Sequence, residues 1–261
     1  MKKIIFYCLS LFLLVSLSIT KAYANLSFEQ GLGDWTVENR YPGNSRSFTN
    51  NVISDRYSEG VKSIRLGAQV TNGSDTAQNV VWNQGNYNLT GSTFVSVDMT
   101  DIQKATQHYG WGWGMDAYLV LSDGTHETYS MLWNYHEENT GLYGPAGLED
   151  NLYTSTFTGS DGTQWYRYSR PLNASNWDGT AYGNGGPLSN LNLSSVKVGV
   201  VFAANNWNFS PQTLFANALV DNIQIDNQQT PNVPEFGMAT GVLAIMLSAG
   251  SYLVIKSKNI I

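Results

Sequence analysis

The sequence predicts an all-β fold, a β-sandwich of the jelly-roll type, from three observations. Apolar residues recur at every second position, as at Val196, Val198 and Val200, which is the period of a strand with one buried face. Turn-forming runs rich in Gly, Asp, Asn and Ser separate these segments. Between the two chain ends no stretch has the 3.6-residue period of an amphipathic helix. Many short strands without helices favour two packed sheets.

We predict ten strands in the body of the chain, which we place at residues 25–226. Each combines alternating or β-branched and aromatic residues with turn signals at its ends. The predicted strands are residues 35–40, 46–53, 62–68, 78–82, 94–100, 111–121, 127–135, 164–169, 196–204 and 216–226.

Residues 1–24 have the features of a secretory signal peptide. Lys2 and Lys3 precede an apolar run, and Ala22 and Ala24 occupy the −3 and −1 positions of a cleavage site before Asn25. An ordinary buried helix is the alternative, but a core helix would be amphipathic. We therefore expect the body to be exported.

The C-terminal residues 238–255 form an uncharged and mostly apolar run. As a helix this run would be about 27 Å long, close to the thickness of the hydrocarbon core of a membrane. Lys256 and Lys258 follow it and would hold the C-terminus on the cytoplasmic side. The polar residues 227–234, with two prolines, are predicted to be a stalk between the body and this segment.

A short motif, Pro234, Glu235 and Phe236, stands just before the apolar run. With the run and its basic end, residues 233–261 resemble the PEF-CTERM sorting signal of archaeal surface proteins. The resemblance implies that an archaeosortase-like membrane enzyme recognises the three residues, cuts near them and removes the tail. A plain transmembrane anchor is the alternative. Both interpretations place the body at the cell surface.

The charge of the body excludes some partners. Five of the fourteen basic residues and one of the twenty acidic residues lie in the two ends, so the body carries nine positive and nineteen negative charges. This argues against nucleic acid, whose phosphates require a positive surface. The single cysteine, Cys8, lies in the predicted signal, so we expect no disulfide framework in the body.

Six N-x-S/T sequons predict that the exported body is glycosylated. They begin at Asn25, Asn72, Asn88, Asn173, Asn192 and Asn208.

Three segments of the body resemble the jelly-roll carbohydrate-binding modules of extracellular glycoside hydrolases. They are the opening "NLSFEQGLGDWTVEN" (25–39), "DRYSEGVKSIRL" (55–66) and the closing "LVDNIQID" (219–226). The resemblance implies a β-sandwich that binds a polysaccharide or another glycan without catalysis. The middle, residues 69–213, does not take part in it.

The same resemblance implies a structural calcium ion, with Glu29, Asp221 and backbone carbonyls near Ser58 and Lys62 as ligands. Asp221 stands where the last strand should be apolar, so its carboxylate must be neutralised or hydrogen-bonded, and calcium prefers such oxygen ligands. In the alternative, Asp221 caps a turn or bulge and Glu29 meets Arg65 or another cation.

The aromatic segment 108–121 permits two interpretations. Flat rings with polar neighbours are typical of glycan clefts. In the other interpretation Trp111 and Trp113 belong to the core, because Met115 and Leu119 continue the same odd-numbered face. The candidate glycan contacts are Trp111, Trp113, Tyr118, Tyr129, Trp133, Tyr135, Asp116 and Asn134.

We expect a non-catalytic function, because no catalytic motif marks the acidic residues. Asp116, Glu127, Glu137 and Glu138 are the carboxylates available near the rings for a hydrolase that needs two of them. Glycan binding at the cell surface is therefore the leading hypothesis. A structural envelope component is the second, and an extracellular polysaccharide hydrolase or lyase is the third.

Overall fold

The computed structural model describes residues 24–41, 43–105, 112–137, 147–177, 185–207 and 211–226. Within these residues no helix has the length and apolar character needed to cross a bilayer. The signal before residue 24, the stalk, the sorting motif and the apolar tail fall outside the described residues, so their roles stay predictions.

Thirteen strands make up the described fold, and all ten predicted strands are present with ends shifted by a few residues. Trp111 lies outside the described residues, so the strand predicted from 111 is described from Trp113 onward. The strands are β1 (Ala24–Leu26), β2 (Trp35–Arg40), β3 (Arg46–Ile53), β4 (Ser63–Val70), β5 (Asp75–Asn83), β6 (Phe94–Lys104), β7 (Trp113–Ser122), β8 (Glu127–Glu137), β9 (Gly147–Asn151), β10 (Ser155–Thr158), β11 (Gln164–Pro171), β12 (Lys197–Asn206) and β13 (Leu214–Asp226).

The strands form two antiparallel sheets, which confirms the predicted β-sandwich. The seven-stranded sheet has the order β10-β11-β6-β13-β4-β3, with β1 paired to β13. The six-stranded sheet has the order β2-β5-β12-β7-β8-β9. The inner faces share one core, to which β12 contributes Val198, Val200 and Phe202 at alternate positions. Burial of each such side chain contributes about 2 kcal/mol.

A polar side chain also joins the two sheets. The Asn79 side-chain amide, in β5, donates to the carbonyls of Thr49 in β3 (2.9 Å) and Gly67 in β4 (2.8 Å). Position 67 must be glycine, because a Cβ there would lie 2.4 Å from the Cβ of Asn217. The absence of a side chain at Gly67 lets β13 approach β4 closely, and the Gly67 carbonyl accepts the bond from Asn79 of the other sheet.

The turn between β7 and β8 is tied to a distant loop by Asp123. Its carboxylate accepts hydrogen bonds from the backbone N–H groups of Asn192 (3.0 Å), His126 (2.8 Å) and Thr125 (2.8 Å). These bonds favour the charged form and hold the pKa of Asp123 well below its usual range.

We predict that Asp123→Asn lowers the free energy of unfolding by about 1 kcal/mol at neutral pH, because bonds to a charged acceptor are lost. A carboxyl whose pKa is depressed in the folded state stabilises above its unfolded pKa of about 4, and this contribution is lost as the pH falls through the folded pKa. Urea unfolding should therefore show that the difference in free energy of unfolding between the unmodified protein and Asp123→Asn decreases at acidic pH. A difference that does not change with pH would contradict this account.

Candidate functional site

The outer face of the six-stranded sheet, the side turned away from the other sheet, carries four rows of side chains. Because the strands pair in register and side chains alternate between faces, three rows cross β2, β5, β12, β7 and β8, and the fourth crosses β5, β12, β7 and β8. Two rows, here called the apolar rows, are Thr36, Trp82, Gly199, Val120, Tyr129 and Glu38, Val80, Val201, Tyr118, Met131. The other two, the polar rows, are Arg40, Gln78, Ala203, Asp116, Asn134 and Thr76, Asn205, Gly114, His136.

The apolar rows form a second hydrophobic cluster, separate from the core. Its buried members include Val80, Val120 and Val201, and the rings of Tyr118 and Tyr129 meet edge to face with centroids 6.2 Å apart. An antiparallel sheet commonly has one solvated face. This sheet instead buries apolar side chains on both sides.

An ion pair lies across the apolar rows, and we call it the strap. The guanidinium of Arg40, on the edge strand β2, donates to both carboxylate oxygens of Glu127 in β8, at 2.7 and 2.9 Å, and to the hydroxyl of Tyr129 at 2.8 Å. Arg40 also lies 5.9 Å from the centroid of Trp82 and pairs with Glu38. The strap therefore reaches from one edge strand over three others.

The charges of the strap are mutually stabilised. Burial of Arg40 opposes its charge, but hydrogen bonds to Glu127 and Glu38 prevail and raise its pKa. Burial, with the neighbouring Glu127 carboxylate, raises the pKa of the Tyr129 hydroxyl. Tyr129 therefore stays a neutral donor to Glu127, and the strap persists as a charged bidentate pair.

The polar rows hold hydrogen-bonding groups of several kinds. The Asn205 amide donates to the Asp116 carboxylate (3.1 Å), and His136 Nδ1 lies 2.9 Å from Asn134 Oδ1. Gln78 is fully buried, and neither atom of its amide has a hydrogen-bond partner among the described residues. These rows thus combine amide, carboxylate and imidazole groups on one face of the sheet, where Gln78, Asn205 and Asp116 are each no more than 9% exposed.

An exposed tryptophan borders the polar rows. Trp207 follows β12 two residues after Asn205, and its backbone N–H donates to the Gly112 carbonyl (2.5 Å) just before β7. Its side chain is 62% exposed, the highest value among the exposed large hydrophobic residues of the described chain. Alternation along the strand places Trp207 on the same side as Asn205.

The predicted glycan contacts divide between the two faces of the sheet. Tyr118, Tyr129, Asp116 and Asn134 lie on the outer face. The others lie on the inner face or outside the described residues.

Trp113, Trp133 and Tyr135 belong to the core, as the parity argument allowed for Trp113. Trp113 is 2% and Trp133 0% exposed, and the rings of Trp113 and Tyr135 pack 5.3 Å apart. The indole N–H of Trp133 donates to the Glu149 carboxylate (2.7 Å). These three rings therefore face the opposite sheet, and we do not retain them as ligand contacts. Trp111 lies outside the described residues.

Sequence reasoning missed Gln78 and Trp207. The signal for Trp207 was its odd-numbered position in line with Val201 and Asn205, which assigns it to the outer face. The signal for Gln78 was its parity with Val80 and Trp82 in the predicted strand.

The proposed calcium ligands surround a loop that offers hydrogen-bond donors. The Asp221 carboxylate accepts from the N–H and hydroxyl of Ser58 (both 2.9 Å) and from the N–H of Glu59 (3.2 Å). Glu29 Oε1 accepts from the N–H groups of Val61 (2.9 Å) and Lys62 (3.1 Å). The loop thus joins the first segment of the body to its last strand.

This donor set does not fit a calcium ion. Calcium takes oxygen ligands, whereas the loop turns N–H groups toward both carboxylates and the Lys62 ammonium donates to the Glu29 carbonyl (2.8 Å). Gly60 has a φ of +67°, and a Cβ there would lie 2.1 Å from Glu29 Oε1. Among the described residues no cluster of three or more His, Cys, Asp or Glu side chains could hold a metal.

Two buried carboxyl groups meet beside this loop. Asp98 and Asp221 are paired across β6 and β13, and both are 0% exposed. Arg167 donates to both oxygens of Asp98, at 2.8 and 2.9 Å. Burial nevertheless raises the pKa of Asp98, and it raises that of Asp221 to about 7.

Four of the predicted glycosylation sites, Asn72, Asn88, Asn173 and Asn192, are exposed in turns and loops. Asn25 lies in β1, and Asn208 falls outside the described residues. The predicted sorting residues Pro234, Glu235 and Phe236 also fall outside the described residues.

Comparison with known proteins gives distant structural similarity alone. No family model matches the chain, and no curated protein matches it. Among solved structures, the family 11 carbohydrate-binding module from Clostridium thermocellum with a mixed-linked tetrasaccharide is 13% identical, with 77% of this chain and 94% of that chain covered and a TM-score of 0.38. The first family 27 module of Caldicellulosiruptor saccharolyticus, with mannohexaose, is 14% identical, with 81% and 100% covered and a TM-score of 0.38. A family 28 module specific for non-crystalline cellulose is 14% identical, with 76% and 91% covered and a TM-score of 0.34.

We predict that calcium does not change the stability of the body, because backbone N–H groups already satisfy Glu29 and Asp221. Thermal unfolding in excess calcium and in excess EDTA should give the same midpoint. As a control, Ser58→Ala should lower the midpoint in both buffers by the same amount, since it removes one bond to Asp221 worth about 1 kcal/mol. An unfolding midpoint that rises with calcium concentration would contradict this prediction and support a calcium site.

Proposed function

We propose that this chain is a non-catalytic cell-surface protein whose sandwich is a jelly-roll, glycan-binding module. The polar rows and Trp207 form its ligand surface. The observation that carries the proposal is the exposed Trp207 ring beside rows of amide, carboxylate and imidazole groups on the outer face of the six-stranded sheet, where Asn134 and His136 are partly exposed and Gln78, Asn205 and Asp116 are buried. Sugar rings pack their C–H faces on aromatic rings, and their hydroxyls need donors and acceptors together.

The charge distribution favours a neutral polysaccharide as the ligand. The body has ten more acidic than basic residues, and Asp116 lies within the polar rows. Arg40, at the end of one row, is paired with Glu127 and Glu38, so its positive charge contributes little attraction for an acidic sugar. Acidic glycans would meet repulsion at this surface.

Delivery to the surface follows from the two chain ends. In this proposal the signal peptide exports the body, and an archaeosortase-like enzyme cuts the tail near Pro234, Glu235 and Phe236. The retained tail as a simple membrane anchor is the competing route, and both leave the module outside the cell.

A specific observation favours a structural role as the second candidate. Leu148, Leu152 and Tyr153 are 44 to 47% exposed along and just after the edge strand β9. An open strand edge with apolar neighbours favours association with another chain. Analytical ultracentrifugation of the full chain in detergent would reveal such assembly.

We predict that the full chain binds one or a few neutral polysaccharides on a glycan array, and that Trp207→Ala weakens this binding about tenfold or more, because a stacking ring is lost. Tyr153→Ala is the matched control, an exposed ring on a different edge, and should bind like the unmodified chain. Since Trp207 is exposed, circular dichroism should show both variants folded. Unchanged binding by Trp207→Ala, or no bound glycan, would reject the proposed surface.

We further predict that Asp116→Asn reduces the affinity for the same glycan several-fold, because a charged acceptor in the polar rows is replaced by a neutral one worth about 1 kcal/mol less. Asp55→Asn, at an exposed loop position, should leave the affinity unchanged. Isothermal titration calorimetry measures both. Equal effects of the two substitutions would indicate a general charge effect in place of a contact.

A further inference from the structure

Four described sequons lie toward one end of the sandwich. One begins at Asn25, which pairs with Gln224 in β13, and the other three, at Asn88, Asn173 and Asn192, have an exposed asparagine. β13 ends at Asp226, which pairs with Phe94 at the start of β6, and Phe94 in turn pairs with Pro171 at the end of β11. We call this the exit end, because the last strand of the body ends there. The backbone N–H of Leu172 donates to Thr93 (2.9 Å), so the sequon at Asn173 lies beside the start of β6.

The other two sequons of this group lie side by side. The N–H of Leu89, the middle residue of the Asn88 sequon, donates to the carbonyl of Leu193, the middle residue of the Asn192 sequon, at 2.7 Å. The adjoining Tyr87 and Val196 form an isolated antiparallel bridge. Asn192 is also fixed to the end of β7 through its N–H bond to Asp123.

The three asparagines share one local geometry. Each is exposed, and each side-chain oxygen accepts a hydrogen bond from the residue two positions later, the Ser or Thr of its own sequon. The donors are the Thr90 N–H (2.9 Å), the Ser175 hydroxyl (2.7 Å) and the Ser194 hydroxyl (2.7 Å). The bond engages the amide oxygen and leaves the amide nitrogen, which carries N-linked glycans, for modification.

We propose that Asn88, Asn173 and Asn192 carry N-linked glycans that form a collar around the exit end of the sandwich. The donor is an oligosaccharide activated on a lipid phosphate. The Asn Nδ2–C1 bond forms while the C1–O bond to the phosphate breaks. The phosphate leaves with the bonding electron pair, and one amide proton passes to a base of the transferase. This requires export of the chain, but it does not depend on glycan binding by the polar rows.

The collar would leave the proposed ligand surface open. Trp207 follows β12, whose last residue, Asn206, pairs with Asp75 and Trp113, the first residues of β5 and β7. That is the end of the sandwich opposite to the exit end. The glycans of this collar would therefore shield the part of the body nearest the stalk. The Asn72 sequon lies at the Trp207 end instead, since the Asn206 side chain donates to the Asn72 carbonyl, and it is not part of the collar. Neither is the Asn208 sequon, which directly follows Trp207 in the sequence.

The test is expression of the full chain in a host that N-glycosylates exported proteins, followed by peptide mass spectrometry. We expect a glycan mass on the peptides that contain Asn88, Asn173 and Asn192, and none on Asn190, an exposed asparagine of the same loop without a sequon. Thr90→Val, Ser175→Ala and Ser194→Ala should each remove one glycan while leaving the asparagine in place. Unmodified peptides at these three positions in exported protein would overturn the proposal, whatever the result of the glycan-array experiment.

Discussion

The burial of two carboxyl groups in the middle of the seven-stranded sheet determines how the ends of the body are held. Asp98 and Asp221 are neighbours across β6 and β13 and have no exposed surface, and an unpaired charge there would cost several kcal/mol. Arg167 and Asn222 supply donors to Asp98, and the loop at Ser58 supplies them to Asp221. The same loop donates its following N–H groups, those of Val61 and Lys62, to Glu29 and so fixes the first segment of the body. Hydrogen bonds thus perform the joining role that sequence resemblance assigned to a metal.

The six-stranded sheet differs, since it buries apolar side chains on both of its faces. Its inner face packs in the core, and its outer face is divided by the strap of Arg40 and Glu127, which lies over Trp82 and reaches Tyr129. Arg40 is also the first residue of the polar rows. The outer face therefore has an apolar region that adds stability and a polar region, which we propose as the ligand surface.

Much of the fold could be predicted from local patterns, and the limits of that prediction are physical. Alternation identified the long strands, and parity correctly allowed Trp113 to be a core residue, whereas the burial of Trp133 was not foreseen. The strands β1, β9 and β10 were missed because they are short, and no buried face marks β9 or β10. The position of Asp221 in an apolar strand indicated that its carboxylate needs a partner. Whether a loop presents carbonyls or N–H groups to it depends on the backbone angles of the loop, as at Gly60. Trp207 was overlooked because it lies three residues past the end of the predicted strand 196–204 and just past the end of β12.

The central place of β13 has a mechanical consequence. The last strand of the body lies between β6 and β4 and pairs with both, and β1 adds a third partner near its end. If the chain after Asp226 is tethered, a pull away from the exit end acts along β13, and the hydrogen bonds perpendicular to the strand resist together in shear. An edge strand would instead peel away one bond at a time. A body built in this order can bear tension from such a tether without first losing a strand.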